Sequence, residues 1–331
     1  MKKIIFTLIV ILIIAGGIIY LSRETADLNR KIEWGVTFSQ FFADKMKLDW
    51  QQSYLAILND LGVKNLRLVA YWPLIEPAKD QYSFADLDWQ IEQARQHNAR
   101  VILAIGQKLP RWPECHIPDW VDSVDAQIRQ QELLKYIETT IEHYKNEPTI
   151  IAWQIENEPF LRFGECPPFD ADFLDREIAL TKKLDGRPII ISDSGELSIW
   201  VSAARRADIF GTTMYRKVWN KWIGSLTYPL PPGFFRAKER IVRLFVGQQK
   251  PFMVIELQAE PWSKKQIYET TLEEQLKSMS FSELQEIINY ARQTGFSHYY
   301  LWGAEWWYSL RQNGHPEYWN YIKEIIEKNQ K

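Results

Sequence analysis

The sequence predicts a (β/α)8 barrel of the α/β class over residues 34–331. From residue 34 onward, short apolar runs alternate with amphipathic segments, and eight such runs can be counted. Polar or acidic side chains directly follow several of these runs. A doubly wound open sheet is the alternative fold, but it usually carries a glycine-rich phosphate-binding turn. The sequence contains no G-x-G-x-x-G or Walker-type run, so the barrel is favoured.

The apolar runs are short, rich in β-branched residues and bounded by turn formers, which is typical of buried parallel strands. The predicted strands cover residues 34–38, 65–70, 100–105, 149–153, 189–192, 209–214, 252–255 and 298–302.

The amphipathic segments between these runs predict helices because their apolar residues recur at helical spacing. Tyr54, Leu55 and Leu58 share a face in the first of them, and Gly62 ends it. The predicted helices cover about residues 49–61, 86–98, 125–144, 171–184, 234–246, 281–294 and 317–328.

Composition excludes some classes of function. The chain has 331 residues, of which 46% are hydrophobic and 25% charged, so a large core is expected and disorder is not. The net charge of −2 gives no reason to expect nucleic acid as a partner. The sequence has 15 Trp, 15 Tyr and 16 Phe, whose flat rings suit either a core or the apolar faces of sugars.

An uncharged run of 18 residues begins at Ile4 and ends at Leu21, after two lysines. A helix of this length can span a bilayer core, with the lysines on the cytoplasmic side. No small-residue cleavage site follows, so we favour an uncleaved signal anchor over a removed signal peptide at residues 1–22. Residues 23–33 are then a linker. The body of the protein is expected outside the cytoplasm, anchored to the membrane, or secreted if the segment is cleaved.

The two cysteines, Cys115 and Cys166, both lie in proline-rich segments. An even pair suggests a disulfide in an oxidising compartment. On a barrel these residues follow the third and fourth strands, so neighbouring loops would bring them together. Two Cys without matching His do not favour a metal site, and we expect neither a metal nor an organic cofactor.

Two glutamates directly follow predicted strands. Glu158 follows the fourth strand and Glu256 the seventh, and Pro159 ends the first of these strands because it has no N–H to donate. The C-terminal ends of barrel strands converge on one face, so the two carboxylates would face each other across a cleft. Glycoside hydrolysis uses such a pair, with one carboxyl group protonating the leaving oxygen and the other attacking the sugar or activating water. The alternative is two unrelated acids among the 42 in the chain, but ordinary surface acids do not share this register.

These motifs resemble those of the clan A glycoside hydrolases, which include cellulases, β-mannanases, β-galactosidases and β-xylosidases. The resemblance covers most of residues 34–325. The segment 153–159 resembles the fourth-strand motif of the clan, and residues 254–256 resemble its nucleophile strand. Residues 72–88 and 110–112 resemble the second and third loops of the β-galactosidase-like members.

The resemblance implies a role for each matching residue. Glu158 corresponds to the acid/base and Glu256 to the nucleophile. The implied substrate-binding or supporting residues are Arg67 beside the nucleophile, Gln107 after the third strand, Asn157 for a sugar 2-hydroxyl, Tyr215 beside the nucleophile and Trp302 as a platform for the sugar.

Alternatives remain at several of these positions. Asn157 is also compatible with a turn, and Tyr215 and Trp302 with core packing. For Gln107 a substrate contact and the absence of one are equally compatible with the sequence. Glu260 lies four residues beyond Glu256 and competes as nucleophile, but we prefer Glu256 because it directly follows the apolar strand.

The predicted chemistry is a retaining, double-displacement hydrolysis of a β-linked glycan or glycoside. An inactive, membrane-tethered glycan-binding barrel is one alternative, and a transglycosylase with the same residues is another. We expect a monomer that takes an oligo- or polysaccharide substrate. The identity of the sugar depends on loop shapes that one sequence does not give.

Overall fold

Eight parallel strands close into a barrel in the order β1-β2-β3-β4-β5-β6-β9-β10 in the computed structural model of the protein, which describes residues 26–122 and 124–328. The barrel strands are β1 Glu33–Thr37, β2 Asn65–Val69, β3 Arg100–Ile105, β4 Ile150–Ile155, β5 Ile189–Asp193, β6 Ile209–Met214, β9 Phe252–Gln258 and β10 His298–Trp302. Two further strands, β7 Lys217–Asn220 and β8 Gly224–Thr227, form a separate antiparallel hairpin. The predicted (β/α)8 barrel is therefore confirmed.

Helices connect the strands and cover the outside of the barrel. In chain order they are α1 Gln40–Lys45, α2 Trp50–Asn59, α3 Trp72–Ile75, α4 Ala85–Gln96, α5 Asp119–Asp122, α6 Ala126–Tyr144, α7 Ala171–Leu184, α8 Val201–Arg206, α9 Gly233–Val246, α10 Leu272–Ser278, α11 Phe281–Thr294, α12 Ala304–Gln312 and α13 Glu317–Lys328. The β7–β8 hairpin and the helices α1, α3, α5, α8, α10 and α12 were not expected from the sequence. Most are short, and helical periodicity is hard to recognise over one or two turns.

The predicted signal anchor from Ile4 to Leu21 lies outside the described residues. Within the part of the chain that the structure covers, no helix is both long enough and apolar enough to cross a membrane.

The barrel lumen is apolar at one level and polar at the next. Ile102, Ala152, Ile190, Met253, Ile255 and Tyr300 form a small buried cluster of their own, separate from the large core between sheet and helices. Arg67, Gln154 and Glu256 are also buried and contact one another through Arg67. The apolar cluster therefore seals the barrel, and polar side chains occupy the level where the site is built.

A β-bulge in β9 sets the direction of Glu256. Thr212 pairs with Val254, but the next residue of β6, Thr213, pairs with Glu256, so β9 has one extra residue at this point. The same shift is present against β10. Because a bulge breaks the alternation of side chains, Ile255 joins the apolar cluster and the adjacent Glu256 also points to the inside of the barrel.

Candidate active site

Arg67 connects three side chains at the centre of the site. Its Nε donates to Gln154 Oε1 at 2.7 Å, its Nη1 to Glu256 Oε1 at 2.6 Å and its Nη2 to Asn157 Oδ1 at 2.8 Å. Arg67 is fully buried, so these contacts replace the hydration that the guanidinium loses. The arginine that the sequence places inside an apolar run thus fixes the position of one of the two predicted catalytic carboxylates.

Glu256 is held at both carboxylate oxygens. Arg67 contacts Oε1, and the Tyr215 hydroxyl donates to Oε2 at 3.0 Å. Burial and the neighbouring carboxylate of Glu256 raise the pKa of Tyr215 well above its usual value, so the phenol stays protonated and remains a donor. The structure therefore brings Arg67, Tyr215 and Glu256 together as the sequence predicts.

Glu158 has a different environment from Glu256. Its carboxyl accepts a hydrogen bond from Thr213 Oγ1 at 3.0 Å, and its backbone N–H donates to Ser192 Oγ at 2.9 Å. Burial raises the pKa of Glu158 well above its usual value, and the nearby charges of Glu256 and then Glu114 raise it further. The raised pKa favours the protonated form of Glu158, whereas Glu256 is paired with Arg67. Acid catalysis by two carboxyl groups requires such a difference between their environments.

Asn157 lies between the two carboxylates in the network. Its Oδ1 accepts hydrogen bonds from Arg67, from Gln154 Nε2 at 3.2 Å and from Ser192 Oγ at 3.1 Å. With the oxygen so occupied, the amide nitrogen is the end that can donate to other groups.

Glu156 supports the backbone of the site. Its carboxylate accepts the backbone N–H of Gln107 at 2.9 Å and that of Lys108 at 2.5 Å, which fixes the loop after β3. Glu156 and Glu158 both have positive φ angles, of 57° and 45°, so the chain is irregular directly after β4. Side chains therefore do not alternate regularly between the two faces of the sheet here. The carboxylate of Glu156 binds backbone N–H groups and holds the loop after β3 in place.

Gln107 and Trp302 lie in two different parts of the site. The Oε1 atom of Gln107 is buried and has no hydrogen-bond partner among the described residues. Trp302 is 7% exposed, and its Nε1 donates to Glu260 Oε1 at 2.8 Å. The guanidinium of Arg111 lies 4.1 Å from the centre of the Trp302 ring. One face of the ring is thus occupied by a cation.

The sequence did not single out the buried ionic cluster that contacts Trp302. Arg111 pairs with Glu260 and, at 2.6 Å, with Glu305 Oε2, and all three side chains are at least 93% buried. Glu260 therefore pairs with Arg111, whereas Glu256 pairs with Arg67. No local signal predicts this cluster, because Arg111, Glu260 and Glu305 follow β3, β9 and β10 respectively and are more than 40 residues apart in the chain.

Glu114 is a second residue that sequence reasoning missed. It is 9% exposed and lies next to Cys115, whose predicted disulfide with Cys166 is confirmed, with the two Cα atoms 5.1 Å apart. Its charge acts on Glu158, and it is itself affected by Glu256, Lys108 and Arg67. The site thus contains a third carboxyl group. Among residues 26–122 and 124–328, no group of three or more His, Cys, Asp and Glu has an arrangement that could hold a metal ion.

A barrel with one glutamate after β4 and another in β9, the latter held by an arginine of β2 and a tyrosine after β6, is the arrangement that the resemblance to clan A glycoside hydrolases implies. Comparisons with known proteins confirm this resemblance. Residues 44–173 match the family model of glycoside hydrolase family 42, described as β-galactosidase, which covers Glu114, Asn157 and Glu158 but not Glu256.

Individual similar proteins are also described as glycosidases. The β-galactosidase BgaA of Clostridium cellulovorans is 29% identical over 120 residues, covering 31% of this chain and 18% of that protein. The exo-β-1,4-mannosidase Op5Man5 of Opitutaceae bacterium strain TAV5 has a TM-score of 0.61 at 14% identity, covering 91% of this chain and 60% of that one.

A β-galactosidase of the haloarchaeon Halorubrum lacusprofundi has a TM-score of 0.57 at 14% identity, covering 82% of this chain and 52% of that one. At these identities the structural matches show a shared fold. The chain spans about half of this protein's length and less than a fifth of the length of BgaA.

Proposed function

We propose that this chain is a retaining β-glycoside hydrolase. The observation that carries the proposal is the unequal environment of two buried glutamates. Glu256 is paired with Arg67 at 2.6 Å and accepts from Tyr215, whereas Glu158 accepts from the neutral Thr213 and its pKa is raised by burial and by Glu256. Retaining hydrolysis needs one ionised nucleophile and one protonated acid, and these environments supply them.

The proposed reaction has two displacements. Glu256 attacks the anomeric carbon and forms a glycosyl ester while Glu158 protonates the departing glycosidic oxygen. Glu158, now a carboxylate, takes a proton from water, which attacks the anomeric carbon and releases Glu256. The amide nitrogen of Asn157 is directed away from Arg67 and is placed to donate to the sugar 2-hydroxyl. Gln107 and one face of Trp302 are the proposed contacts to the rest of the sugar.

β-Galactosides are the first substrates to test, since residues 44–173 match a model described as β-galactosidase. β-Mannosides come second because one similar structure is described as an exo-β-1,4-mannosidase. Aryl β-galactoside, β-mannoside, β-glucoside and β-xyloside should be assayed side by side, with the anomer of the first-formed product recorded by NMR. The β-anomer as first product supports retention, and the α-anomer contradicts it.

Substitutions assign the two glutamates. Glu256→Gln should abolish turnover while unfolding remains like wild type, because the amide cannot form the ester. Glu260→Gln is the matched control for the nucleophile, since Glu260 is a buried glutamate near the end of the same strand that pairs with a different arginine. Wild-type turnover by Glu256→Gln together with an inactive Glu260→Gln would transfer the nucleophile role to Glu260.

We also infer that the barrel acts outside the cytoplasm and is held at a membrane by the run from Ile4 to Leu21. The Cys115–Cys166 disulfide supports this location, since disulfides persist in oxidising compartments. The full chain should remain in the membrane fraction after a carbonate wash, and added protease should digest it in spheroplasts. Release of the full chain by carbonate would overturn the anchor.

A further inference from the structure

Four aromatic rings form a continuous line at the mouth of the barrel. The ring centre of Trp262 lies 4.9 Å from that of Tyr215 and 5.5 Å from that of Phe163. The ring centres of Phe163 and Trp112 are 6.0 Å apart. The line begins in the proposed active site, because the Tyr215 hydroxyl donates to Glu256 Oε2 at 3.0 Å, and it ends at Trp112, which is 37% exposed. We call Trp112, Phe163 and Trp262 the aromatic strip.

The aromatic strip spans the end of the barrel that carries the two glutamates. Trp112 follows β3, Phe163 follows β4 and Trp262 follows β9. In the barrel β4 and β9 are separated by β5 and β6, so the contact between Phe163 and Trp262 joins the loops of strands that are not neighbours. Loops that follow parallel barrel strands lie at one end of the barrel, which is where the site is built.

The loops that carry Trp112 and Phe163 are fixed to each other. Cys115 and Cys166, each three residues after one of the two rings, form the disulfide. The two backbones are in close contact, since a Cβ atom at Gly164 would lie 2.7 Å from a backbone carbonyl oxygen of the facing loop. The rings are therefore held in place before a substrate binds, and binding does not have to order them.

The aromatic strip lies on the side of the leaving group. Phe163 is five residues after Glu158, the proposed acid, and the turn between them is closed by hydrogen bonds from Leu161 N–H to the Glu158 carbonyl and from Phe163 N–H to the Leu161 carbonyl, both at 2.9 Å. Lys108 Nζ donates to the same two carbonyls at 2.8 and 2.7 Å. The acid protonates the leaving oxygen, so the departing sugar lies beside Glu158 and next to the loop that carries Phe163.

Charged side chains accompany the half-buried rings of Phe163 and Trp262. Arg162 and Glu165 lie on either side of Phe163 in the chain, Lys264 follows Trp262 by two residues, and all three are exposed. A sugar ring offers an apolar face that stacks on an aromatic ring, and its hydroxyls need polar groups at the edge. The core of a protein interface is instead depleted of charged residues. The surroundings of the rings therefore favour a sugar as the occupant.

We propose that Trp112, Phe163 and Trp262 form a binding site for the sugar units of the leaving group, so that the preferred substrates are oligosaccharides. This inference rests on the proposed hydrolase function and deepens it by naming the class of substrate. Trp262 and Phe163 contact the sugar next to the cleaved bond, and Trp112, at the exposed end, contacts a sugar further along the chain.

The first experiment compares substrates with and without a leaving sugar, made of the sugar that the aryl glycoside assay identifies. Phe163→Ala and Trp112→Ala should each lower kcat/KM on the β-linked tetrasaccharide by about 5- to 20-fold, because each removes a stacking surface. On the β-glycosyl fluoride, whose leaving group is fluoride, kcat/KM should change by less than about 2-fold, since the lost contact is not made in that transition state. Trp112→Phe keeps a ring and should restore most of the loss.

The length of the substrate separates the two ends of the aromatic strip. On the disaccharide, whose leaving group is a single sugar, Phe163→Ala should still lower kcat/KM by about 5- to 20-fold, whereas Trp112→Ala should change it by less than about 2-fold. Equal effects of Trp112→Ala on the disaccharide and the tetrasaccharide would contradict the order of the contacts.

Phe245→Ala is the matched control. Phe245 is 56% exposed and lies in the last turn of α9, which leads to the start of β9 and so lies at the opposite end of the barrel. This variant should leave kcat/KM on each substrate unchanged. Rings that only pack the loops together would give equal losses on the tetrasaccharide and the fluoride, with a lowered midpoint in thermal unfolding. Equal losses on the two substrates, or a loss on neither, would overturn the proposal.

A second readout does not require turnover. The indole N–H signals of Trp112 and Trp262 can be followed by NMR in protein labelled with 15N at tryptophan, and assigned with Trp112→Phe and Trp262→Phe. Addition of β-1,4-linked galacto-, manno-, gluco- and xylotetraose to Glu256→Gln, one at a time, should shift both signals with at least one sugar.

The two readouts distinguish failure of the aromatic strip from failure of the proposed function. If none of the four tetrasaccharides shifts the indole signals, the proposal for the aromatic strip is overturned even if glycosides are hydrolysed. If a tetrasaccharide shifts both signals but the wild-type protein hydrolyses no glycoside, the proposed hydrolysis is overturned and the aromatic strip remains a sugar-binding surface.

Discussion

Replacement of Arg67 by methionine should be the most destabilising single change at the site. The substitution keeps a long side chain but removes the donors to Gln154, Glu256 and Asn157 at 2.7, 2.6 and 2.8 Å. Arg67 is 0% exposed and Glu256 is 2% exposed, so water does not take the place of the guanidinium. Removing one partner of a buried ion pair costs about 3–5 kcal/mol, because the remaining charge is left unpaired.

The two neutral acceptors should add less to this loss. Asn157 Oδ1 keeps the donors Gln154 Nε2 and Ser192 Oγ, so only Gln154 Oε1 loses the donor seen in the structure. We therefore expect the free energy of unfolding to fall by about 3–5 kcal/mol in Arg67→Met, with the ion pair as the main cause. Turnover should fall by more than about 100-fold, since the nucleophile is no longer held in position.

Urea unfolding at pH 7, followed by circular dichroism, measures this loss directly. Arg67→Lys is the matched variant: it keeps the charge, but an ammonium group lacks the planar fork that contacts three acceptors at once. Its stability should lie between those of wild type and Arg67→Met. A loss of less than about 1 kcal/mol in Arg67→Met, with an unchanged denaturant slope, would refute the reasoning, because Glu256 would then not depend on its cation.

Three further predictions concern other parts of the site. Tyr215→Phe removes the donor 3.0 Å from Glu256, and steady-state kinetics should show kcat reduced by about 10-fold with little change in the unfolding midpoint. Glu158→Gln should remove the alkaline limb of the pH profile of kcat, because in wild type activity falls as pH rises through the raised pKa of Glu158. Because that raised pKa favours the folded state only while Glu158 is protonated, wild-type stability falls as pH rises through it. The Gln variant should therefore lose less stability in thermal unfolding scans as pH rises above the ordinary range of a carboxyl group. The double variant Cys115→Ser with Cys166→Ser should be less stable by about 4 kcal/mol, since the bridge closes a loop of 51 residues in the unfolded chain. Wild-type kcat in Tyr215→Phe, an alkaline limb that persists in Glu158→Gln, or a double serine variant as stable as the oxidised protein would contradict the respective prediction.

The strands of the barrel could be predicted because their signal is local. Each run of β-branched residues must be buried on both faces of a parallel sheet, and the third, sixth and eighth predicted runs agree with β3, β6 and β10 residue for residue. The ends of β4 and β9 lie two or three residues later than predicted. In both strands the extra residues include polar ones, Gln154 and Glu256, which are buried because Arg67 inside the barrel binds them.

The contacts of Glu114 and Arg111 could not be predicted in the same way. Glu114 is held where a disulfide and the small Gly164 allow two loops to pack closely, and Arg111 pairs with glutamates that follow two other strands. The packing of loops depends on long-range geometry, and hydrophobic periodicity carries no information about it. Glu256 could be selected because it directly follows the predicted apolar run, although it lies within β9 and the β-bulge that turns it inward was not foreseen.

Irregular backbone is concentrated where the three carboxyl groups meet. Glu114, Glu156 and Glu158 all have positive φ angles, and β9 carries its bulge at Glu256. A non-glycine residue in this region costs about 1–3 kcal/mol and persists only if its surroundings compensate for it. Here the compensation comes from groups that do not react: the disulfide beside Glu114, the Glu156 carboxylate on two backbone N–H groups, and Ser192 on the N–H of Glu158. The apolar cluster lower in the lumen and the outer core supply the stability against which this strain is maintained. Substitutions in those supporting groups should therefore reduce activity before they unfold the barrel.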